Sequence, residues 1–306
     1  MLTALLQQLS RAAYRFTQRY QPEHPPEYLL PQLRRTIRPA EFPFIAERRL
    51  NPAWSAADLE AQLRALGPWE YYFEFGHGLT TELAATFTAE TTLFHRYRSE
   101  LISGTVAALL GDALGRSTVL DLACHCGAFT LDLAQRGAQS VVGIEVREQN
   151  LRQARFLREY YRIENAAFEQ GDVDQLSAAR PVDVVLCLGL LYHVVRPVDL
   201  IEFCCRSARQ FAVVETLCHP EPVSAYRVVT GRNTAVAIEG TRSIELLPTY
   251  RAVIDTLRAA GFAEIVEVVG ECAQPVHLYS EGKRRCFIGF KPGAAEAWRS
   301  RWTAPG

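Results

Sequence analysis

Residues 119–147, VLDLACHCGAFTLDLAQRGAQSVVGIEVR, constrain this chain more than any other stretch. An apolar run ends in Asp121, a turn of small residues leads to Gly127, an apolar-periodic segment follows, and a second apolar run ends in Glu145. Strand, tight turn, helix, strand is the repeating unit of a helix-covered parallel sheet, because parallel neighbours need a crossover between them. The order sets an acid at the carboxyl end of each strand. Those ends face the crevice in which open α/β sheets bind their ligands.

The alternation continues. Strands are predicted at 117–121, 140–146, 166–171, 182–189 and 210–217, and helices at 128–136, 148–161, 197–208 and 249–260. AEIVEVVGE and RRCFIGFKP close the sheet as two further strands. Residues 218–247 interrupt the rhythm with polar, Gly- and Pro-containing sequence; a long irregular segment of this kind is expected to form a substrate wall or lid, with Arg227, Arg232 and Asn233 on it. Upstream come a short amphipathic helix, the proline-rich stretch QPEHPPEYLLPQLRRTIRP, a helix at SAADLEAQLRALG with a Ser N-cap, the aromatic run PWEYYFEFGHGLTT, and a long helix at ETTLFHRYRSELISGTVAALL. The division that follows is an accessory helical and aromatic region over 1–85, the main domain over 86–294 with its insert at about 218–247, and a tail over 295–306.

A net charge of -1 lacks the basic excess of a typical nucleic-acid binder. No apolar run reaches the roughly 18 residues that span a bilayer, and the first residues do not read as a signal peptide, so no membrane partner and a cytoplasmic location are expected. Of the eight cysteines, Cys187, Cys204, Cys205 and Cys286 fall in segments that read as buried, which fits core thiols in a reducing compartment better than a disulfide framework. Cys124, His125 and Cys126 are too close together to wrap a metal ion, and no metal is expected. A reactive thiol at this helix start stays open, since helix N-termini favour the thiolate.

The turn after Asp121 is not G-x-G-x-x-G, so a pyrophosphate site is poorly supported. Gly127 stands where the backbone turns sharply and approaches a ligand. An adenosyl ligand without phosphate needs acceptors for an ammonium, a ribose and an amino group, and a flat apolar slot. Asp121 suits the aminoacyl end, Glu145 the ribose hydroxyls, and Asp172 the adenine amino group, with Val173 on the ring. Ala123, Cys124, Val146, Leu188 and Tyr71 complete the expected cofactor contacts.

The turn resembles the first motif of class I S-adenosylmethionine-dependent methyltransferases, with Ala123 and His125 where that family usually has Gly. His is among the residues that tolerate positive φ. The stretch Leu188-Gly189-Leu190-Leu191-Tyr192-His193, followed by Arg196-Pro197, resembles the LGVLYH-x-x-x-P signature of the tRNA wobble-uridine carboxymethyltransferase-like family and its small-molecule relatives. The likeness spans about residues 60–292 and includes LRALGPWEYYFEFG, Glu215-Thr216-Leu217, LPTYRAVIDTLRAAGF and GKRRCFIGFKP. It implies a seven-stranded Rossmann-like sheet, mostly parallel with an antiparallel last strand, helices on both faces, an N-terminal helical extension, and S-adenosylmethionine as cofactor.

The tRNA enzyme of that family holds a carboxylated cofactor partly through a Lys just after its Pro-Trp pair. Here Pro68-Trp69 is followed by Glu70-Tyr71-Tyr72, and a carboxylate beside Glu70 gains no salt bridge. Arg284 aligns with an Arg of that carboxylate site. The expected cofactor is therefore ordinary S-adenosylmethionine and the expected activity methyl transfer to a small molecule, at oxygen, in specialised biosynthesis. A tRNA-modifying transferase, and a cyclase or non-catalytic cofactor-binding protein on the same fold, are the alternatives. His193 is the candidate base, Tyr192 is expected to turn its ring to the sulfonium, and Glu215 to contact substrate or an assisting water. His219 and His277 are weaker base candidates. Trp69 to Phe75 is a candidate cover over the cofactor, His95, Arg96 and Arg98 read as a solvated helix face, and the N-terminal helices as a candidate homodimer contact.

Overall fold

The computed structural model describes residues 26–37, 51, 53–85, 88–230, 243–296 and 299. The first amphipathic helix, its expected role in pairing subunits, Arg232, Asn233 and most of the 295–306 tail lie outside the described residues. The described elements are β1 (Gln32–Thr36), α1 (Ala56–Leu66), α2 (Ala89–Ser99), α3 (Thr105–Leu110), β2 (Thr118–Leu122), α4 (Ala128–Gln135), β3 (Ser140–Glu145), α5 (Glu148–Tyr160), β4 (Ala166–Gln170), β5 (Val182–Leu188), α6 (Pro197–Ser207), β6 (Ala208–Leu217), β7 (Tyr226–Thr230), β8 (Ile244–Pro248), α7 (Tyr250–Ala259), β9 (Glu264–Glu271), α8 (His277–Ser280) and β10 (Arg284–Phe290), with short single turns between them.

Eight strands form one sheet in the order β1-β9-β10-β6-β5-β2-β3-β4. β10 runs antiparallel to both neighbours, and the other pairings in this sheet are parallel. All seven expected strands are in it. The eighth, β1, adds a strand to the expected seven, from the proline-rich part of the helical and aromatic accessory region: QLRRT lies parallel to β9, with Gln32 opposite Glu267. Leu33 and Ile37 are buried from this segment, while the arginines between them turn outward or to the rim. A polar strand with two inward side chains, flanked by prolines, gives little periodic signal.

The central strands are covered on both faces, which is why they read as unbroken apolar runs. Val119, Val141, Val184 and Leu186 pack on one side with Phe129 and Leu133 of α4 and Phe156 and Leu157 of α5. Leu120, Leu122, Val185 and Cys187 pack on the other with Leu200 and Ile201 of α6 and Val253 and Leu257 of α7. Consecutive residues of β2 thus serve opposite layers, as the two-residue period of a strand dictates. Each such side chain contributes about 1.5–3 kcal/mol by leaving water.

The accessory region joins the first of these layers. Ser55 caps α1, accepting from the Asp58 N–H, and Leu59, Leu63 and Leu66 are buried. Trp69 and Phe73 are fully buried, the Trp69 indole donates to the Leu63 carbonyl, and Phe75 stacks on Tyr161 at 5.7 Å. These rings are core, while Glu70 and Tyr71 of the same segment line the cavity described below.

Between β2 and α4 the backbone enters the left-handed region at alternate residues: Ala123 and His125 at φ 54°, and Gly127 at φ 79°. Ala123 and His125 therefore keep the geometry that glycines would supply. At Gly127 a Cβ would meet the Phe168 ring at 2.5 Å, in addition to the unfavourable φ. Gly127→Ala is expected to lower stability by about 3 kcal/mol, from left-handed backbone plus overpacking. Denaturant unfolding checks this, and Phe168→Leu in the same chain should restore part of the loss.

Candidate active site

A cavity of about 290 Å³ opens at the carboxyl ends of β2, β3 and β5. Asp121, Glu145 and Asp172, from the ends of β2, β3 and β4, all line it. So do Ala123, Cys124, Val146, Val173, Leu188, Tyr71, Tyr192 and His193. Two expected contacts do not: Gly127 sits behind the turn against Phe168, and Glu215 is fully buried behind the cavity wall.

Each acid is held by a different device. Asp121 is 1% exposed and accepts from the Thr130 hydroxyl of α4 at 2.7 Å. Burial pushes its pKa up to about 7, against the opposing pull of that hydroxyl and of Arg98. Glu145 accepts from the backbone N–H of His125 at 2.9 Å and of Arg147 at 2.8 Å, which fixes its carboxylate plane. Burial raises its pKa and these two amides oppose the rise. Asp172 caps the short turn Val173–Gln175, accepting from the Asp174 N–H, so it is both a cap and a lining residue.

The turn itself carries unsatisfied polarity. Neither ring nitrogen of His125 has a hydrogen-bond partner among the described residues, although both are buried. Burial is the main cause that lowers its pKa to about 4, so the ring is neutral and offers one donor and one acceptor. Orphaned buried polar atoms beside three carboxylates fit a polar ligand that completes them. Cys124 and Cys126 are buried and burial pushes both thiols above their usual range. Among these groups that removes the reactive-thiol reading, which required a stabilised thiolate.

Tyr192 and His193 follow β5. The His193 Nδ1 lies 3.0 Å from the Glu245 Oε1, and the Glu245 side chain is 2% exposed. Glu245 belongs to β8 of the insert, whose Leu246 N–H donates to the Tyr192 carbonyl at 2.9 Å. The described part of the insert is thus an antiparallel ribbon, β7 with β8, fastened to the turn that carries the candidate base. His219 bonds Arg227 at 2.8 Å and His277 is 70% exposed; neither lines the cavity.

Arginines complete the wall. Arg98 places its Nε and Nη2 on the two carboxylate oxygens of Glu215, at 3.2 and 3.0 Å, and its Nη1 on the Tyr71 hydroxyl. Arg284 donates to Glu215 at 2.8 Å and to the Tyr192 hydroxyl at 2.9 Å. The Tyr279 hydroxyl also donates to Glu215. Three donor side chains hold Glu215 ionised, and the arginines keep its pKa below the ordinary value despite burial. The expectation of Glu215 as a substrate contact is corrected accordingly: its oxygens are committed to anchoring the arginines. The helix face of His95 and Arg98 is likewise not solvated. Arg98 is 5% exposed, and His95 lies tilted against Tyr71 with 3.8 Å between ring centroids. The overlooked signal was the apolar spacing around Arg98, with Phe94 at i−4, Leu101 at i+3 and Ile102 at i+4. Glu245 had no such signal.

Residues 119–211 match a family model described as a methyltransferase domain. The part of the chain that builds the cavity is thus similar to an S-adenosylmethionine-dependent methyltransferase domain. It is 32% identical over 98 residues to ubiquinone biosynthesis O-methyltransferase of Neisseria meningitidis serogroup A / serotype 4A, covering 31% of this chain and 41% of that protein. It is 28% identical over 221 residues to tRNA U34 carboxymethyltransferase of Idiomarina loihiensis, covering 68% of this chain and 61% of that one. The chain spans less than two thirds of either relative. Among solved structures, the N-terminal domain of EvdMO1, crystallised in the presence of SAH and D-fucose, superposes with a TM-score of 0.60 at 24% identity, over 78% of this chain and 97% of that chain; the likeness is one of fold. Among the described residues no helix is long and apolar enough to cross a membrane.

The raised pKa of Asp121 makes stability depend on pH. Its ordinary value is 3.8 and its folded value about 7, so ionisation opposes folding, beginning near the lower value and levelling off above the higher one. Asp121→Asn should therefore gain stability relative to the unmodified protein as pH rises from about 4 to about 7, with a constant difference above that. Denaturant unfolding at several pH values measures this; a difference independent of pH would show that Asp121 is not the group responsible.

Proposed function

We propose that the protein transfers the methyl group of S-adenosylmethionine to a small-molecule acceptor, at oxygen, with His193 as general base. The observation that carries this reading is the convergence of Asp121, Glu145 and Asp172 on one cavity that also holds His193. The cofactor supplies an activated methyl on a sulfonium; the residues have only to position the acceptor and remove its proton. Glu145, its plane fixed by two amides, suits the paired hydroxyls of a ribose. Asp121 suits an ammonium, and its ionised form is the one that would pair with it. Asp172 keeps acceptor capacity beyond its capping bond, and Val173 lies beside it.

His193 has the arrangement that a base needs. A proton on Nδ1 leaves the Nε2 lone pair for the acceptor hydroxyl, and the Glu245 carboxylate, 3.0 Å from Nδ1, stabilises the imidazolium that results. Glu245 acts through His193 and is a positioning residue. Tyr192 holds its hydroxyl on Arg284, with the guanidinium 5.7 Å from the ring centroid, so its ring already faces one cation.

A second reading, transfer to tRNA, is supported by the longer match to the carboxymethyltransferase. Salt-sensitive retention of tRNA would favour it, and no retention at low salt would remove it.

Calorimetric titration with S-adenosylmethionine tests the main reading. Binding should be clear in the unmodified protein and weakened at least about tenfold in Glu145→Ala, by loss of charge-assisted hydrogen bonds; absence of binding in the former defeats the assignment. Against an acceptor found by screening, His193→Ala should reduce kcat by about 10²- to 10⁴-fold with cofactor binding retained. Glu245→Gln should reduce kcat by about tenfold and move the acidic limb of the pH–rate profile downward, because a weaker partner leaves the imidazole less basic. A structural role alone would leave that profile in place.

A further inference from the structure

Resting on that reading, we infer that the acceptor is a planar molecule with two hydroxyls, one methylated beside His193 and the other held by the imidazole of His95. The first ground is the shape of the wall. Thr91, Phe94, His95 and Arg98 of α2 all line the cavity. Their spacing of i, i+3, i+4 and i+7 puts them on one face of the helix, so that face runs about 10 Å along the cavity. At its far end Arg98 is committed to Glu215 and to the Tyr71 hydroxyl. One turn earlier, the Nδ1 of His95 is buried and has no hydrogen-bond partner among the described residues. A buried polar atom left unpaired is costly, and fits a partner that arrives with the ligand.

The second ground is the state and place of the ring. Burial, with Arg98, His125 and Arg284 adding to it, pushes the His95 pKa well below its ordinary value, against the pull of the Glu70 carbonyl. The ring is therefore neutral and offers one donor and one acceptor. A hydroxyl both gives and takes a hydrogen bond, so it satisfies Nδ1 in either tautomer. A carboxylate suits only the protonated nitrogen, and an ammonium only the bare one. Packing holds the ring, tilted against Tyr71 and edge-on to Phe94 with 5.2 Å between centroids. Position separates it from the cofactor acids. In the sheet order β10-β6-β5-β2-β3-β4, Asp121, Glu145 and Asp172 stand at the ends of β2, β3 and β4. The arginines that act on His95 belong to the other half: Arg98 is bonded to Glu215 of β6 and Arg284 is on β10. His193 follows β5, where the two halves meet. Tyr71, Phe94 and Phe129 line the cavity with His95, and their rings suit a flat skeleton.

The test uses the full chain saturated with S-adenosylhomocysteine, titrated calorimetrically with catechol, resorcinol and phenol. At least one of the two diols should bind at least about tenfold more tightly than phenol, the scale of one buried hydrogen bond made or left unmade. His95→Leu should abolish that preference while S-adenosylhomocysteine still binds. His95→Asn, whose amide oxygen falls near the place of Nδ1, should retain part of it, which a merely structural role of the ring does not predict. Equal binding of the three probes to the unmodified protein, or binding of none of them, overturns the inference while leaving the methyltransferase reading intact. A preference that survives in His95→Leu overturns it too. So does a loss of S-adenosylhomocysteine affinity in that variant as large as the loss of diol affinity, which assigns His95 to the cofactor. Failure of S-adenosylhomocysteine to bind the unmodified protein removes both readings together.

Discussion

The Glu215 carboxylate ties the molecule together. It sits at 0% exposure on β6, and the groups it binds come from α2, β10 and the α8 helix after β9. A helix preceding the first core strand is thereby locked to β6 and β10, two neighbouring strands of the sheet. The same contact holds two guanidiniums rigid at the edge of the cavity, with Tyr71 and Tyr192 fixed on their outer nitrogens. Removing one partner of such a buried cluster typically costs about 3–5 kcal/mol, because the charges left behind have nowhere to go. The network is therefore a joint of the fold and a wall of the site at once. Glu215 achieves this by giving up the solvent contact that proton chemistry would need.

The turn after β2 works by a different principle. Three left-handed residues in five bring the His125 N–H onto Glu145 and leave the His125 ring inward. Ala123 and His125 tolerate a conformation that strains most side chains, and the neighbouring hydrogen bonds hold it, including the Cys124 N–H on the Ile144 carbonyl at 2.9 Å. Gly127 is different: the approach of Phe168 excludes any side chain there. One of the three positions is thus fixed by contact and the other two by backbone geometry alone.

Much of this was legible in the chain. Apolar runs ending in Asp121 and Glu145, the Ser55 cap and the periodic segments of α4 to α7 report local physics, so their elements fall within a residue or two of expectation. The acids of the cavity were readable because strand ends in an open sheet share one crevice whatever the loops do. What escaped is what depends on distant partners. β1 has too few inward side chains to announce itself and exists by pairing with β9, more than 200 residues later. Arg98 read as a surface charge because its counter-ion lies 117 positions away. The aromatic run Trp69 to Phe75 has the composition of a cover and of a core equally; only the packing of Phe156, Tyr160 and Tyr161 against it places Trp69 and Phe75 in the core.

The β7–β8 ribbon is anchored to the Tyr192 carbonyl and brings Glu245 to His193. No described residue of the ribbon lines the cavity. Its tie to the site runs through one carboxylate and one carbonyl, so a shift of the ribbon drags the acid off the imidazole. Sequence change is therefore better tolerated along its far, solvent-facing side, where Val228 is exposed, than at its attachment to the domain.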